Sequence, residues 1–248
     1  RANLSYASII GVANYEKVLT LGLDGIRQEV EECSARLSMG TPQSSDKRNF
    51  LNAVLITLNA SVKFANRYAS LAEEEAKTEA DSQRKADLER VTKACQWVPA
   101  KPARTFFDAL QALWFIDLVG WIEGPQGTAS IGRFSQYMYP FYKKDREEGR
   151  ITREEAVELI ELFYLKLSSI LIHVPGDYFL SFQGNTGNHI NVGGVNSDGE
   201  DATNELDFLL LEAQRRVKLT QPTISLLYHQ KLPKELILKA LDVIRETG

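Results

Sequence analysis

Residues 189–217 read HINVGGVNSDGEDATNELDFLLLEAQRRV, and residues 222–246 continue PTISLLYHQKLPKELILKALDVIRE. His189–Val195 is a short segment holding a glycine pair, the pattern of a strand approached closely by other backbone. A helical pattern follows from about Thr203 to Val217. Pro222–Tyr228 is rich in β-formers and reads as a second strand. Pro233 is a favoured first helical residue and opens a helix that continues to Glu246. Strand, helix, strand, helix in that order predicts parallel pairing with crossover helices. Asp177–Phe182 reads as one more strand ahead of them.

The texture upstream is helical. Tyr15, Val18, Leu19, Ile26, Val30, Cys33 and Leu37 recur largely at three and four, which predicts an amphipathic helix over 14–37, softened by Gly22 and Gly25. A turn at 39–42 precedes a second helix from about Lys47 to Glu79. A helix-to-helix turn is expected near Asp81 in a charged, solvated run. The next helix carries Leu88, Val91 and Cys95 and is stopped by Pro99 and Pro102, after which Thr105 is placed to cap another. That helix, Phe106–Trp121, is apolar on more than one face and belongs in an interior. A further helix follows Gly132, and Thr152-Arg153-Glu154-Glu155 forms a capping box for one running to about Ile172. The expected organisation is one domain, mainly helical over 1–173 and alternating strand and helix over 174–248.

Composition narrows the function. With 29 basic against 33 acidic residues, a net charge of −4, neither a nucleic-acid groove nor a membrane-binding face is indicated. The 44% apolar content fills a globular core. Small-molecule or protein partners are expected. The most apolar stretch, Phe106–Ile122, is broken by Asp108, Gln111 and Asp117, so no membrane span is read. Cys33 and Cys95 show neither CxxC spacing nor a disulfide framework, which fits a reducing, cytoplasmic setting. Arg1 at the start and Gly248 directly after a helix give the chain the look of a cut piece. His173, His189 and His229 have no zinc-site spacing, and neither a nucleophile elbow nor a Walker lysine occurs. The glycines of 184–187 and 193–194 do not open a helix directly after a strand, as a phosphate loop requires. Most of the carboxylates read as water-facing residues of amphipathic helices, and no isolated pair in an apolar setting suggests acid and base partners.

Several longer words carry a resemblance. CQWVP at 95–99, PARTF at 102–106 and DALQALWF at 108–115 are followed by SIGRFSQYMYP at 130–140, NVGG at 191–194 and DGEDATN at 198–204. YEKVL at 15–19, GLDGI at 22–26 and FANRYA at 64–69 stand upstream. In this order and spacing the words resemble glycyl radical enzymes of the pyruvate formate-lyase-like superfamily, over about Asn14–Gly248. The resemblance implies an α/β fold: outer helices plus part of a ten-stranded barrel, here one incomplete half-barrel. It also implies a glycyl radical, installed by an S-adenosylmethionine-dependent iron-sulfur activating enzyme, with no other bound cofactor, in a homodimeric enzyme of anaerobic metabolism. The family's Gly-Cys-x-Glu loop and Arg-Val-x-Gly-Tyr loop, which hold the thiyl cysteine and the radical glycine, do not occur in the sequence. No catalytic residue is therefore assigned, and Cys95 is read as core.

Three residues are candidate substrate contacts. Ser130 matches a position where family dehydratases and decarboxylases place a substrate-binding serine; a helix N-cap for the segment near Gly132 is the alternative. His189, with Asn188, falls near a substrate-pocket position, against which stands a loop histidine satisfied by backbone. Arg133 reads as a buried structural arginine or an anion clamp. Gly193 and Gly194 read as close packing at a strand. Two departures stand out: Ser135 where the family commonly has aspartate, and Ile10-Gly11-Val12-Ala13 where many members have Gly-His. The expected function is a segment of a radical dehydratase or decarboxylase lyase. An acyltransferase of the formate acetyltransferase type and a non-catalytic remnant or helical interaction module are the alternatives.

Overall fold

The computed structural model describes residues 10–37, 41–123, 128–170 and 188–247. The strand expected at 177–182 lies outside the described residues. The chain divides into two compact units, residues 14–116 and residues 1–13 together with 117–248.

The first unit holds α1 (Tyr15–Ala35), α2 (Pro42–Thr78), α3 (Ser82–Cys95) and most of α4 (Phe106–Glu123). Local chemistry sets each start. Lys17 N donates to Asn14 Oδ1 at 3.1 Å, Arg84 N to Asp81 Oδ1 at 2.7 Å and Asp108 N to Thr105 Oγ1 at 3.1 Å. Helix α2 begins before the expected Lys47, because Thr41 and Ser44 cap each other's backbone ahead of it. Gly22 does more than soften α1. Its φ is +66°, and a Cβ there would stand 2.4 Å from Ala100 O. The break lets Leu23 N and Asp24 N donate to Pro99 O and Ala100 O at 2.8 and 2.9 Å. On α2, Ala65, Ala69, Ala72 and Ala76 are all buried, a ridge of small side chains at three and four. Such a ridge lets a neighbouring helix approach closely. Phe115 and Phe64 close this core edge to face, with ring centroids 6.1 Å apart.

The second unit carries a four-stranded, all-parallel sheet in the order β1 (Ile10–Val12), β2 (Thr128–Gly132), β3 (His189–Gly193), β4 (Thr223–Leu227). Helices α5 (Phe134–Glu147), α6 (Arg153–Ser168), α7 (Glu205–Val217) and α8 (Lys234–Thr247) accompany it. The parallel pairing expected for β3 and β4 is observed, and the glycine pair lies at the end of a sheet strand. A self-contained helical module is thereby set aside. Strands β1 and β2 add to the sequence reading, which named no strand within the mainly helical residues 1–173. The capping box of α6 forms as expected: Thr152 N donates to Glu155 Oε2 at 2.6 Å and Glu155 N to Thr152 Oγ1 at 3.1 Å.

Side-chain alternation gives the sheet two unlike faces. Ile190 and Val192 are fully buried, and Ile224 and Leu226 are their register partners on β4. This is the helix-covered face, with Leu211 of α7 and Ala240 and Val243 of α8 beside Val192, Ile224 and Leu226. A cleft of about 310 Å³ between β4 and α8 is lined by Ile224, Leu226, Ile237 and Ile244 among others, none of them ionisable. Each fully buried Leu or Ile contributes about 1.5–3 kcal/mol, so this layer dominates the unit's stability.

Polar chemistry locks the helices over that face. Glu212 on α7 accepts from Arg215 Nη2 at 2.5 Å, from Lys239 Nζ of α8 at 2.5 Å and from Arg216 Nε at 3.1 Å. Arg216 also pairs with Glu154 of α6. The Arg215 guanidinium, joined by Lys239 and Arg216, holds the Glu212 carboxyl far below the usual range despite its burial. A carboxyl with a lowered folded pKa stabilises the fold above its unfolded value of about 4.3 and loses that contribution as the pH falls. Glu212→Gln is expected to lower the unfolding free energy by about 1–3 kcal/mol at pH 7. Urea titrations of both proteins should show the difference shrinking progressively below about pH 4.

Candidate functional site

The face opposite the helices is polar. Val12 of β1 pairs with Ser130 of β2, Ser130 pairs with His189 of β3, and His189 pairs with Thr223 of β4. In a parallel sheet such partners point the same way, so these four side chains form one row across the sheet. The next row contains Asn191 and its β4 partner Ser225. The structure thus brings Ser130 and His189, two separate candidates of the sequence reading, side by side.

Ser130 is part of a strand and no helix cap, which removes the alternative considered for it. Its hydroxyl donates to His189 O at 3.3 Å and accepts from Gly132 N at 3.2 Å. Helix α5 instead starts after Arg133, without any side-chain cap. The imidazole of His189, half-buried, has no hydrogen-bond partner among the described residues, nor has the amide of Asn191 or the hydroxyl of Ser225. Asn188 stands apart. It precedes β3, and period-two alternation assigns it to the face of Ile190 rather than to that of His189. It is fully buried, its backbone oxygen accepts from Thr223 N at 2.8 Å, and neither amide atom has a partner among the described residues.

The C-terminal rim of the sheet is held by a set of specific bonds. Gly193 N donates to Asp207 Oδ1 at 2.9 Å and Asn204 N to Asp207 Oδ2 at 2.8 Å, so one carboxylate caps α7 and pins the end of β3. Asp207 is fully buried, and burial pushes its carboxyl above the ordinary range against the pull of those two N–H groups. The reading of the carboxylates as water-facing missed it. Gly193 has φ +70° and would place a Cβ 2.9 Å from Leu232 Cδ1, so the expected close packing is observed. Arg133 is exposed and donates Nη1 to Val195 O at 3.0 Å, which corrects its expected burial. Its guanidinium reaches out of the core to fasten the loop after β3. His229 Nε2 lies 3.0 Å from Asp201 Oδ1, while Lys231 N donates to His229 Nδ1 at 3.3 Å. With Nδ1 accepting, the imidazole proton sits on Nε2 and is donated to Asp201. That bond joins the loops after β3 and β4.

The family model described as pyruvate formate lyase-like matches residues 5–248. The chain belongs to that family. It is 37% identical to the isethionate sulfite-lyase of Oleidesulfovibrio alaskensis over 96% of this chain and 29% of that protein. It is 33% identical to the (2S)-3-sulfopropanediol dehydratase of Klebsiella oxytoca, over 94% of this chain and 28% of that protein. Among solved structures, the glycerol-bound B12-independent glycerol dehydratase of Clostridium butyricum superposes with a TM-score of 0.91 at 36% identity, covering 98% of this chain and 31% of that one. A glycyl radical enzyme from Archaeoglobus fulgidus gives a TM-score of 0.87 at 32% identity, covering 96% of this chain and 31% of that one. The chain therefore spans under a third of the length of these relatives.

The lyase-branch glycyl radical family and its helix-wrapped partial barrel, as the sequence words implied, are both supported by these matches. Within this family segment the cysteines divide cleanly. Cys95 is 2% exposed beside Ala65, Ala69 and Phe115, and burial pushes its thiol up to about 12, so it carries no nucleophile at neutral pH. Cys33 is exposed. Among the described residues no three His, Cys, Asp or Glu side chains gather as a metal site, and no helix is long and apolar enough to cross a membrane.

Two outcomes are expected from this geometry. Under native conditions a disulfide reagent should label Cys33 and leave Cys95 unreacted until denaturant is added, as intact mass will show. Gly193→Ala should cost about 1–3 kcal/mol, read as a lower urea midpoint at unchanged slope.

Proposed function

We propose that this chain is part of the wall of a radical lyase's reaction chamber, with the polar sheet face turned toward the substrate. The observation that carries the reading is the shared face of Ser130 and His189. One face of a parallel sheet buried under helices, and the other carrying half-buried polar groups of which His189, Asn191 and Ser225 have no partners among the described residues, is the organisation of a ligand-enclosing wall. The relatives named above are a sulfite-lyase and dehydratases, which supports a lyase acting on a small organic molecule.

In this proposal Ser130 and His189 bind and orient substrate. The imidazole offers one donor and one acceptor, and Ser130 keeps an acceptor lone pair beyond its two existing bonds. Asn188, on the other face, supports His189 from behind and holds β4 through its backbone oxygen. The radical, generated by a separate S-adenosylmethionine-dependent activating enzyme, supplies hydrogen-atom abstraction through groups that lie in no motif of residues 1–248. This segment's own contribution is to fix substrate orientation and keep water out, since water and stray hydrogen donors divert radical intermediates. A homodimeric, cytoplasmic enzyme of anaerobic metabolism completes the proposal.

The test uses the longer polypeptide that contains this segment, activated anaerobically. Ser130→Ala and His189→Ala should each lower kcat/KM by about 10- to 100-fold while the glycyl radical signal in spin resonance stays at its wild-type level. Wild-type kcat/KM in both variants at equal radical content would remove the assignment.

A further inference from the structure

We propose that Asn191 and Ser225 form a second anchoring pair on the polar face, so that a ligand is held at two separate points rather than one. The inference rests on the reading of that face as the chamber wall, and it adds two residues that the candidate contacts did not include.

The register fixes the pair. Asn191 of β3 and Ser225 of β4 are direct Cα partners, two residues along each strand from the His189 and Thr223 pair. Their side chains therefore share the face of His189, displaced by ~6.6 Å along the strands and side by side across a gap of ~4.8 Å. Both are half-buried. Neither side chain has a hydrogen-bond partner among the described residues, although Asn191 carries two donors and two acceptor lone pairs and Ser225 one donor and two lone pairs.

Polar groups withdrawn from bulk water find partners in protein, ordered water or a ligand. Two of them, adjacent in register and both unspent, would weaken the strands for no return if the face packed against apolar side chains. Val or Thr would fill the same strand positions with better β propensity. Thr223 differs instructively, since its hydroxyl already accepts from Gln221 Nε2 at 3.4 Å. The unspent groups thus fall in two patches, the His189 imidazole with the remaining Ser130 lone pair in one row and Asn191 beside Ser225 in the next. A small molecule with hydrogen-bonding groups at both ends meets one patch with each end. A molecule with a single such group engages only one.

The 248-residue chain, labelled with nitrogen-15 and carbon-13, allows a direct comparison of 1,3-propanediol with 1-propanol, which differ by one hydroxyl. The diol is expected to shift the resonances of Ser130 and His189 together with the Asn191 side-chain amide. The mono-alcohol is expected to shift one patch and to bind about tenfold more weakly. Asn191→Leu and Ser225→Ala should each weaken the diol about tenfold and leave 1-propanol within twofold. Asn191→Asp keeps the size and removes the amide donors, and serves if the leucine variant fails to fold. Shifts at Ser130 and His189 with no discrimination between the alcohols, or no effect of the Asn191 and Ser225 variants, would overturn the second anchor and leave the chamber-wall reading standing. Absence of shifts at all four residues at molar alcohol would overturn both.

Discussion

The alternation of β3 is the constraint on which the second unit depends. Ile190 and Val192 go under α7 and α8 with no exposure, and their removal from water is worth several kcal/mol. Because successive side chains point to opposite sides, that same burial forces His189 and Asn191 onto the other face. A one-residue slip of register would drive both polar groups into the helix layer and expose the two aliphatic ones. The apolar face thus specifies the polar face.

Geometry along the strand is secured at its end. Gly193 adopts a left-handed backbone angle against Leu232, and its N–H is held by the buried carboxylate of Asp207. Two backbone N–H groups donate to that carboxyl and offset part of the desolvation that raises its pKa. The same residue sits in the first turn of α7, where the positive end of the helix dipole also favours it. Arg133 reaching Val195 O and His229 reaching Asp201 extend the fastening to neighbouring loops. Rigid attachment of this kind keeps the side chains of a binding face within the small tolerances that recognition needs.

A radical chamber makes two demands that oppose each other. It must exclude water and stray donors, yet it must present polar groups to a polar substrate. On the proposed reading the two-faced sheet answers both: hydrophobic burial on one face supplies the rigidity, and on the other His189, Asn191 and Ser225 stay half-buried without hydrogen-bond partners among the described residues. The helical first unit is built on other principles, with the alanine ridge of α2 and the edge-to-face contact of Phe64 with Phe115 replacing alternation as the organising rule.

The sequence by itself determined what is local. Helix starts were readable because Asn14, Asp81, Thr105 and Thr152 satisfy backbone N–H groups two or three residues away, and their chemistry needs no distant partner. The parallel pairing of β3 with β4 was readable from strand and helix order, and the family from the order of its words. Tertiary structure alone decided what depends on distant residues. Strand β1 is too short to announce itself, and Ile10–Val12 becomes a strand only because Thr128–Ser130 pairs with it across more than a hundred residues. Ser130 is for that reason a strand residue and no cap. Asn191 could have been placed beside His189 from alternation, whereas Ser225 required the register of two strands separated by a helix. Asp207 looked like an ordinary acidic residue of a first helical turn. Only the fold brings Gly193 N–H onto it and closes water away, because burial is a property of what surrounds a residue and not of the residue itself.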